Sequence, residues 1–205
     1  MEKKEILKSN SKAKKLVNFL FETRILKYLP KSSLNYLRSP FSENAAEHSF
    51  YVTIIGWILA KMEKADEDKI IKMDLIHDLA EVRGGERNLI NKFYSQTLNE
   101  PRIIKEISKD HNLKNFEIVK LFEEFFEEKT KEAKTAKDAD ILADMLLEKE
   151  VFDTGNKKAE KWLVVSLARL KTKSGKNLGK SLIGTDSDEW WLQIAKKYIL
   201  FTKFM

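Results

Sequence analysis

The chain has few residues with which to turn sharply: three prolines and seven glycines are spread over 205 positions. Lys, Glu, Leu, Ile and Ala dominate instead, and these residues lose little on entering a helix, whereas closely spaced hairpins need Gly, Pro, Asn or Asp at set positions. Turn-rich β architectures are therefore disfavoured and an all-α fold is expected. A chain of this length can bury a full core as one domain. No Pro- or Ser-rich linker and no fixed-period repeat divides it, so residues 1–205 are read as a single compact helical bundle. Its core spans about 16–153, with additional C-terminal helices over about 157–204.

Apolar spacing marks the elements. Leu16, Phe19, Leu20, Thr23 and Leu26 form one stripe over residues 12–28, ending near Pro30. Residues 31–42 hold Ser32, Ser33, Asn35, Ser39 and Pro40, which predicts an irregular connecting loop that can line a site. Ser42 or Asn44 is placed to cap a helix over Ala45–Met62. Ile70, Ile71, Met73, Leu75, Ile76 and Leu79 make the next segment apolar nearly all round, predicting a central helix from Asp66 to the stop at Gly84-Gly85. A short helical turn is expected near Leu89–Tyr94, and Pro101 can start a helix through Ser108. Helices follow over Phe116–Glu128, with Phe122, Phe125 and Phe126 read as core, and over Lys131–Phe152, ended by Gly155. Two last segments, Lys157–Lys171 and Asp188–Phe204, carry stripes that include Trp162, Trp190 and Trp191.

Several functional classes are excluded. With no cysteine there are no disulfides, no thiolate catalysis and no Cys-ligated zinc or iron–sulfur cluster, so any metal must be held by imidazole or oxygen. The charged N-terminus lacks the apolar region of a secretory signal, and no apolar stretch reaches the roughly 20 residues needed to span a bilayer. A soluble cytoplasmic protein without a membrane partner is expected. The net charge of +6 comes from 38 basic and 32 acidic residues interspersed along the chain, a pattern that describes a solvated surface as well as an anion-binding one.

The three histidines carry more information. His77-Asp78 sits inside an apolar run, with His48 upstream, Asp140 downstream and Glu81 four residues past His77. On a helix, His77 and Glu81, and Asp78 and Glu81, share a side. Asp140 lies among Ala136, Ala139, Ile141 and Leu142, and an unpaired carboxylate in such surroundings is costly, so a metal gives these groups a reason to be buried. A mixed nitrogen and oxygen site for a divalent cation follows, with His48 and Asp140 as the outer ligands. His111, in the polar stretch Lys109–Asn112, is read as a surface or turn residue.

His48, the His77-Asp78 doublet and Asp140 resemble the H…HD…D pattern of the HD-domain metal-dependent phosphohydrolases. SENAAEHSF at Ser42–Phe50, HDLAE at His77–Glu81 and AKDAD at Ala136–Asp140 look like the 5′-deoxynucleotidase branch of that family, a similarity spanning roughly Phe19 to Phe152. The resemblance implies an HD-domain helical bundle that forms a homodimer. It also implies one divalent metal ion, Mn²⁺ or Co²⁺ first, with Mg²⁺, Fe²⁺, Ni²⁺ or Zn²⁺ as alternatives. The implied reaction is release of phosphate from a small nucleotide substrate, a deoxynucleoside 5′-monophosphate. Carried across, it makes His48, His77, Asp78 and Asp140 the metal ligands and Glu81 the catalytic carboxylate, with Lys137 on a phosphate oxygen. Two positions depart from the pattern: Glu86 stands where relatives carry aspartate, and Tyr28 or Lys27 where they carry an arginine. Glu86 is then an assisting carboxylate, and Arg38 or Arg83 are candidate replacements for the missing substrate contact. The competing expectations are an HD phosphohydrolase or phosphodiesterase acting on another nucleotide, and a non-catalytic helical nucleic-acid-binding protein with a structural metal. No basic helix with interleaved aromatics recommends the last.

Overall fold

The computed structural model describes residues 11–40, 43–95 and 98–202. Among them the chain is helical throughout, with no strand and one isolated bridge between Pro30 and Asn44. Helix α1 (Ser11–Thr23) runs into a 3₁₀ turn (Arg24–Tyr28), followed by α2 (Ser33–Leu37), α3 (Ala45–Glu63), α4 (Glu67–Ile76), α5 (Glu81–Gly84) and α6 (Leu89–Tyr94). Then come α7 (Glu100–His111), a 3₁₀ turn (Lys114–Phe116), α8 (Ile118–Glu127), α9 (Lys131–Asp153), α10 (Ala159–Arg169), α11 (Lys173–Gly184) and α12 (Glu189–Thr202). The all-α expectation holds.

Helix starts follow local chemistry. Asn44 accepts from the amides of Ala46 and Glu47, while the Glu47 carboxylate accepts from the Asn44 amide, each at 3.0 Å, closing a capping box at the head of α3. Ser42, the other expected cap, lies outside the described residues. The segment read as an irregular loop after Pro30 contains α2, whose Leu34 and Leu37 are buried. Helix α11 was not expected, because Gly175 and Gly179 interrupt its apolar spacing. They are what lets it pack: a Cβ at Gly175 would stand 2.3 Å from Asp138 Oδ2, and one at Gly179 2.6 Å from Leu170 Cδ1. The buried Asp138 in turn accepts from the Lys171 amide at 2.8 Å and from the Thr172 amide and hydroxyl at 2.7 Å, tying the head of α11 to α9.

Helix α9 is the axis of the bundle, packed by α3, α4, α8, α10 and α11. Ala136, Ala139 and Ala143 along it let neighbours approach, while Val52, Leu59, Leu142, Met145, Leu163 and Leu170 fill the space between. A second cluster around Ile104, Ile107 and Phe122 packs α7, α8 and α1 beneath Leu79 and Ala80. Phe122 and Phe125 are core as expected, but Phe126 is 53% exposed. The Trp190 and Trp191 stripe of α12 likewise faces outward, because that helix packs extensively on no other. No described helix is long and apolar enough to cross a membrane.

Candidate metal centre

The central helix expected from Asp66 to Gly84 stops at Ile76. His77 to Ala80 form tight turns instead, in which the Leu79 amide donates to the Ile76 carbonyl at 3.0 Å and the Glu81 amide to the Asp78 carbonyl at 2.9 Å. The break has a purpose that spacing along a continuous helix conceals. Neighbours on one helix diverge and do not face a common point; leaving the helix at His77 lets both members of the doublet point inward.

His48 from α3, His77 and Asp78 from the turn, and Asp140 from α9 converge there. Single donor atoms of His48, His77 and Asp78 lie within 4.8 Å of one another. Asp140 Oδ1 stands 3.1 Å from His48 Nε2 and 3.8 Å from His77 Nε2, and His77 Nε2 is 3.2 Å from Asp78 Oδ2. His77 Nδ1 lies 2.7 Å from the Asp74 carbonyl oxygen. A carbonyl can only accept, so Nδ1 carries a proton and Nε2 is the ring atom that faces the Asp78 carboxylate. His77 Nε2 and Asp78 Oδ2 are buried and make no hydrogen bond among the described residues. Two electron-rich atoms held this way fit a cation, and the backbone bond on the far side of the imidazole orients it as metal-binding histidines require. Two imidazoles and two carboxylates form a donor set suited to a divalent first-row metal.

The charges around this point oppose one another. Burial works against ionising Asp78, but the His77 imidazole and the Lys31 ammonium, 3.6 Å away, hold it well below the usual carboxylate range. Burial and the neighbouring Asp78 charge push Glu81 up to about 9. Burial and Lys31 disfavour the charged form of His48, yet Asp140, 3.1 Å from Nε2, and the carboxylates of Glu43 and Asp144, 3.7 and 4.0 Å from Nδ1, raise it to about 10.

A cleft of about 410 Å³ opens on His77, Asp78, Glu81 and Asp140. Lys137 lines it as expected, with Nζ 2.9 Å from Asp140 Oδ2 and 4.7 Å from the centre of the Phe125 ring. Glu86 also lines it; its Oε2 accepts from the Ser32 amide at 2.8 Å, which fixes the segment after Pro30 against the site. Arg38 and Arg83 are not brought in. Arg38 is exposed in left-handed conformation at the end of α2, and Arg83 is turned away to Glu22 at 2.5 Å and Asp110 at 2.9 Å. Tyr28 and Lys27 line no part of the cleft either. The cation that stands there is Lys31, buried between Asp78 and Glu86, together with Arg87, Lys92 and Arg169 at greater remove. The available signal for Lys31 was its place just after Pro30 in a segment already suspected of lining a site. Asp144, Glu148 and Trp162 also line the cleft, and they had no signal beyond helical spacing. His111 is not a surface residue: it is buried, with Nε2 2.5 Å from Glu22 and Nδ1 3.1 Å from the Lys15 carbonyl, and it joins α7 to α1.

No curated protein matches the sequence. Solved structures with a similar fold include the PH0347 protein of Pyrococcus horikoshii OT3, 23% identical, covering 82% of this chain and 98% of that one with a TM-score of 0.67. A predicted metal-dependent phosphohydrolase from Magnetospirillum magnetotacticum MS-1 is 22% identical over 85% of this chain and 95% of its own, with a TM-score of 0.65. A conserved hypothetical protein of Pyrococcus furiosus is 21% identical over 82% of this chain and 99% of its own, also at 0.65. The HD domain family model matches residues 23–181, a span that takes in every residue of the His and Asp cluster and its three supporting helices. The chain belongs to the HD domain family.

Proposed function

We propose that the protein is a metal-dependent phosphohydrolase that releases phosphate from nucleoside 5′-monophosphates, with deoxynucleoside 5′-monophosphates as the favoured substrates. The observation that carries this reading is the grouping, in one open cleft, of a cation-binding set, a carboxyl raised to about 9, the buried Lys31 and the half-buried Lys137. A purely structural metal would not need the cleft, the acid or the lysines. His48, His77, Asp78 and Asp140 would hold one divalent ion; Mn²⁺ and Co²⁺ suit the mixed donors. When bound, such an ion supplies Lewis-acid charge to the phosphoryl group and makes water a better nucleophile near neutral pH.

The rest falls to side chains. Lys31, beside Asp78, and Lys137, beside Asp140, neutralise phosphate oxygens as charge-assisted donors. Glu81 keeps its proton at neutral pH and can pass it to the departing 5′ oxygen, which makes it a general acid. Glu86 holds Lys31 and the Ser32 backbone in place, with Lys31 Nζ 3.9 Å from Oε1. The name of one similar structure, a predicted metal-dependent phosphohydrolase, supports the hydrolase class; the nucleotide rests on the motifs around His48, His77 and Asp140. The test is phosphate release from a panel of nucleoside and deoxynucleoside monophosphates after chelation and reconstitution with each metal. Turnover of none of them with any metal, in protein that binds metal, would refute the substrate assignment.

A further inference from the structure

The cleft extends beyond the metal centre along α9 to side chains that the phosphoryl chemistry does not use. Asp140, Asp144 and Glu148 stand at four-residue spacing on one ridge of α9, which puts Glu148 about 12 Å along the helix axis from Asp140. Helix α10 runs back beside this ridge: the Lys171 amide, just past its end, meets Asp138, and the Ser166 hydroxyl donates to Glu148 Oε1 at 3.0 Å. Glu148 lines the cleft but is only 6% exposed, and its Oε2 is buried and makes no hydrogen bond among the described residues. Also on α10 and lining the cleft are Val165, 46% exposed, and the half-buried Trp162, whose ring centre lies 6.1 Å from that of Tyr36 on α2. One flat apolar wall and one carboxyl with an oxygen to spare share this end.

We propose that this end of the cleft seats the nucleobase of the substrate, its ring against Trp162 and Val165 and its hydrogen-bonding edge on Glu148, an assignment that rests on the nucleotide reading above. Stacking on an aromatic side chain with the Watson–Crick edge hydrogen-bonded is how proteins hold an unpaired base. The spacing agrees, since two turns of helix match the reach from a 5′ phosphate to the far edge of its base and leave the sugar alongside Asp144. A second sugar ring in the same place would call for several hydroxyl partners, which a single carboxyl does not supply. Burial, and after it the Asp144 charge, push Glu148 up to about 8, so near neutral pH it carries a proton and offers one donor and one acceptor. Every base has a donor beside an acceptor on its Watson–Crick edge, so this carboxyl engages all of them. An ionised carboxylate only accepts, and it would single out guanine, whose two adjacent N–H groups both donate.

The test compares deoxynucleoside 5′-monophosphates with 2-deoxyribose 5-phosphate, which has the phosphate and sugar but no base. Beside it, the Trp162 indole N–H is followed by NMR during titration with deoxyadenosine, which has the base but no phosphate. The unmodified protein is expected to use the different deoxynucleotides within about 10-fold of one another and to prefer each over the base-less compound. Deoxyadenosine should shift the Trp162 signal where 2-deoxyribose does not. Glu148→Leu should lower the ratio of kcat/KM for nucleotide to that for sugar phosphate by roughly 10- to 100-fold, mostly through KM. Glu148→Gln, which keeps a donor and an acceptor, should restore most of that ratio, and Trp162→Leu should lower it about 10-fold, all with unchanged helix content. A ratio that Glu148→Leu leaves unchanged, as a purely structural bond to Ser166 would give, overturns the base seat even where nucleotides are hydrolysed. A Trp162 signal that deoxyadenosine does not move, or use of guanine nucleotides alone, does the same. A protein that hydrolyses no nucleotide but shows the Trp162 shift, lost in Glu148→Leu, overturns the substrate reading and upholds the seat.

Discussion

Replacing Asp74 by asparagine tests the electrostatic account of the ground beneath the metal centre. Asp74 is fully buried, and neither carboxyl oxygen makes a hydrogen bond among the described residues. Burial first, and the Asp140 charge second, hold it well above its ordinary 3.8, so it stays protonated in the folded chain while ionising in the unfolded one. The sign follows from proton counts. Above 3.8 the folded state binds more protons than the unfolded state, so the contribution of Asp74 is fully present below 3.8 and is lost as pH rises toward the folded value. The loss is about 1.4 kcal/mol per pH unit. Urea unfolding of wild type and Asp74→Asn at pH 5 and pH 6, with chelator present, should therefore show the difference between them shifting by about 1.4 kcal/mol in favour of the variant. The new amide brings a donor without a partner, costing about 1–3 kcal/mol, but that offset does not vary with pH. The Asp74 carbonyl that orients His77 belongs to the backbone and survives the substitution. A difference that is flat between the two pH values would refute the buried, protonated assignment.

Glu81→Gln is expected to lower kcat by 10²- to 10⁴-fold with metal content unchanged, measured by phosphate release beside elemental analysis. Asp140→Asn removes a ligand from the cluster and should weaken metal binding by 100-fold or more in calorimetric titration, on the order of effects at such sites. Lys31→Met is expected to cost about 10²-fold in kcat/KM by removing one preorganised cation, with circular dichroism unchanged. Asp138→Ala deletes three hydrogen bonds to a buried carboxylate at the head of α11, and thermal or urea unfolding should register a loss of about 3 kcal/mol.

Much of the fold was legible in the sequence because it depends on local chemistry. The capping box at Asn44 and Glu47, the proline at the start of α7 and the stripes of α8 and α9 report directly on helix ends and buried faces. Helix α11 was not legible, since its glycines look like breakers until α9 and Leu170 are seen to need the space. The same limit applied at His77, where continuous apolar spacing suggested one helix through Glu81 although the chain leaves the helix to turn both ligands inward.

For the candidate site, the sequence by itself determined which atoms are available: two imidazoles, two carboxylates and an adjacent glutamate, with cysteine excluded. It also determined that α3 and α9 would present His48 and Asp140 among apolar neighbours, because helical periodicity is a property of the local chain. Which cations face the cleft was decided only by the tertiary structure. Arg83 is as basic as any candidate but is neutralised by Glu22 and Asp110, whereas Lys31 is carried to the cluster by the Pro30 bridge and held there by Asp78 and Glu86. Charge is written residue by residue, but its partners come from segments distant in the chain, and packing chooses them.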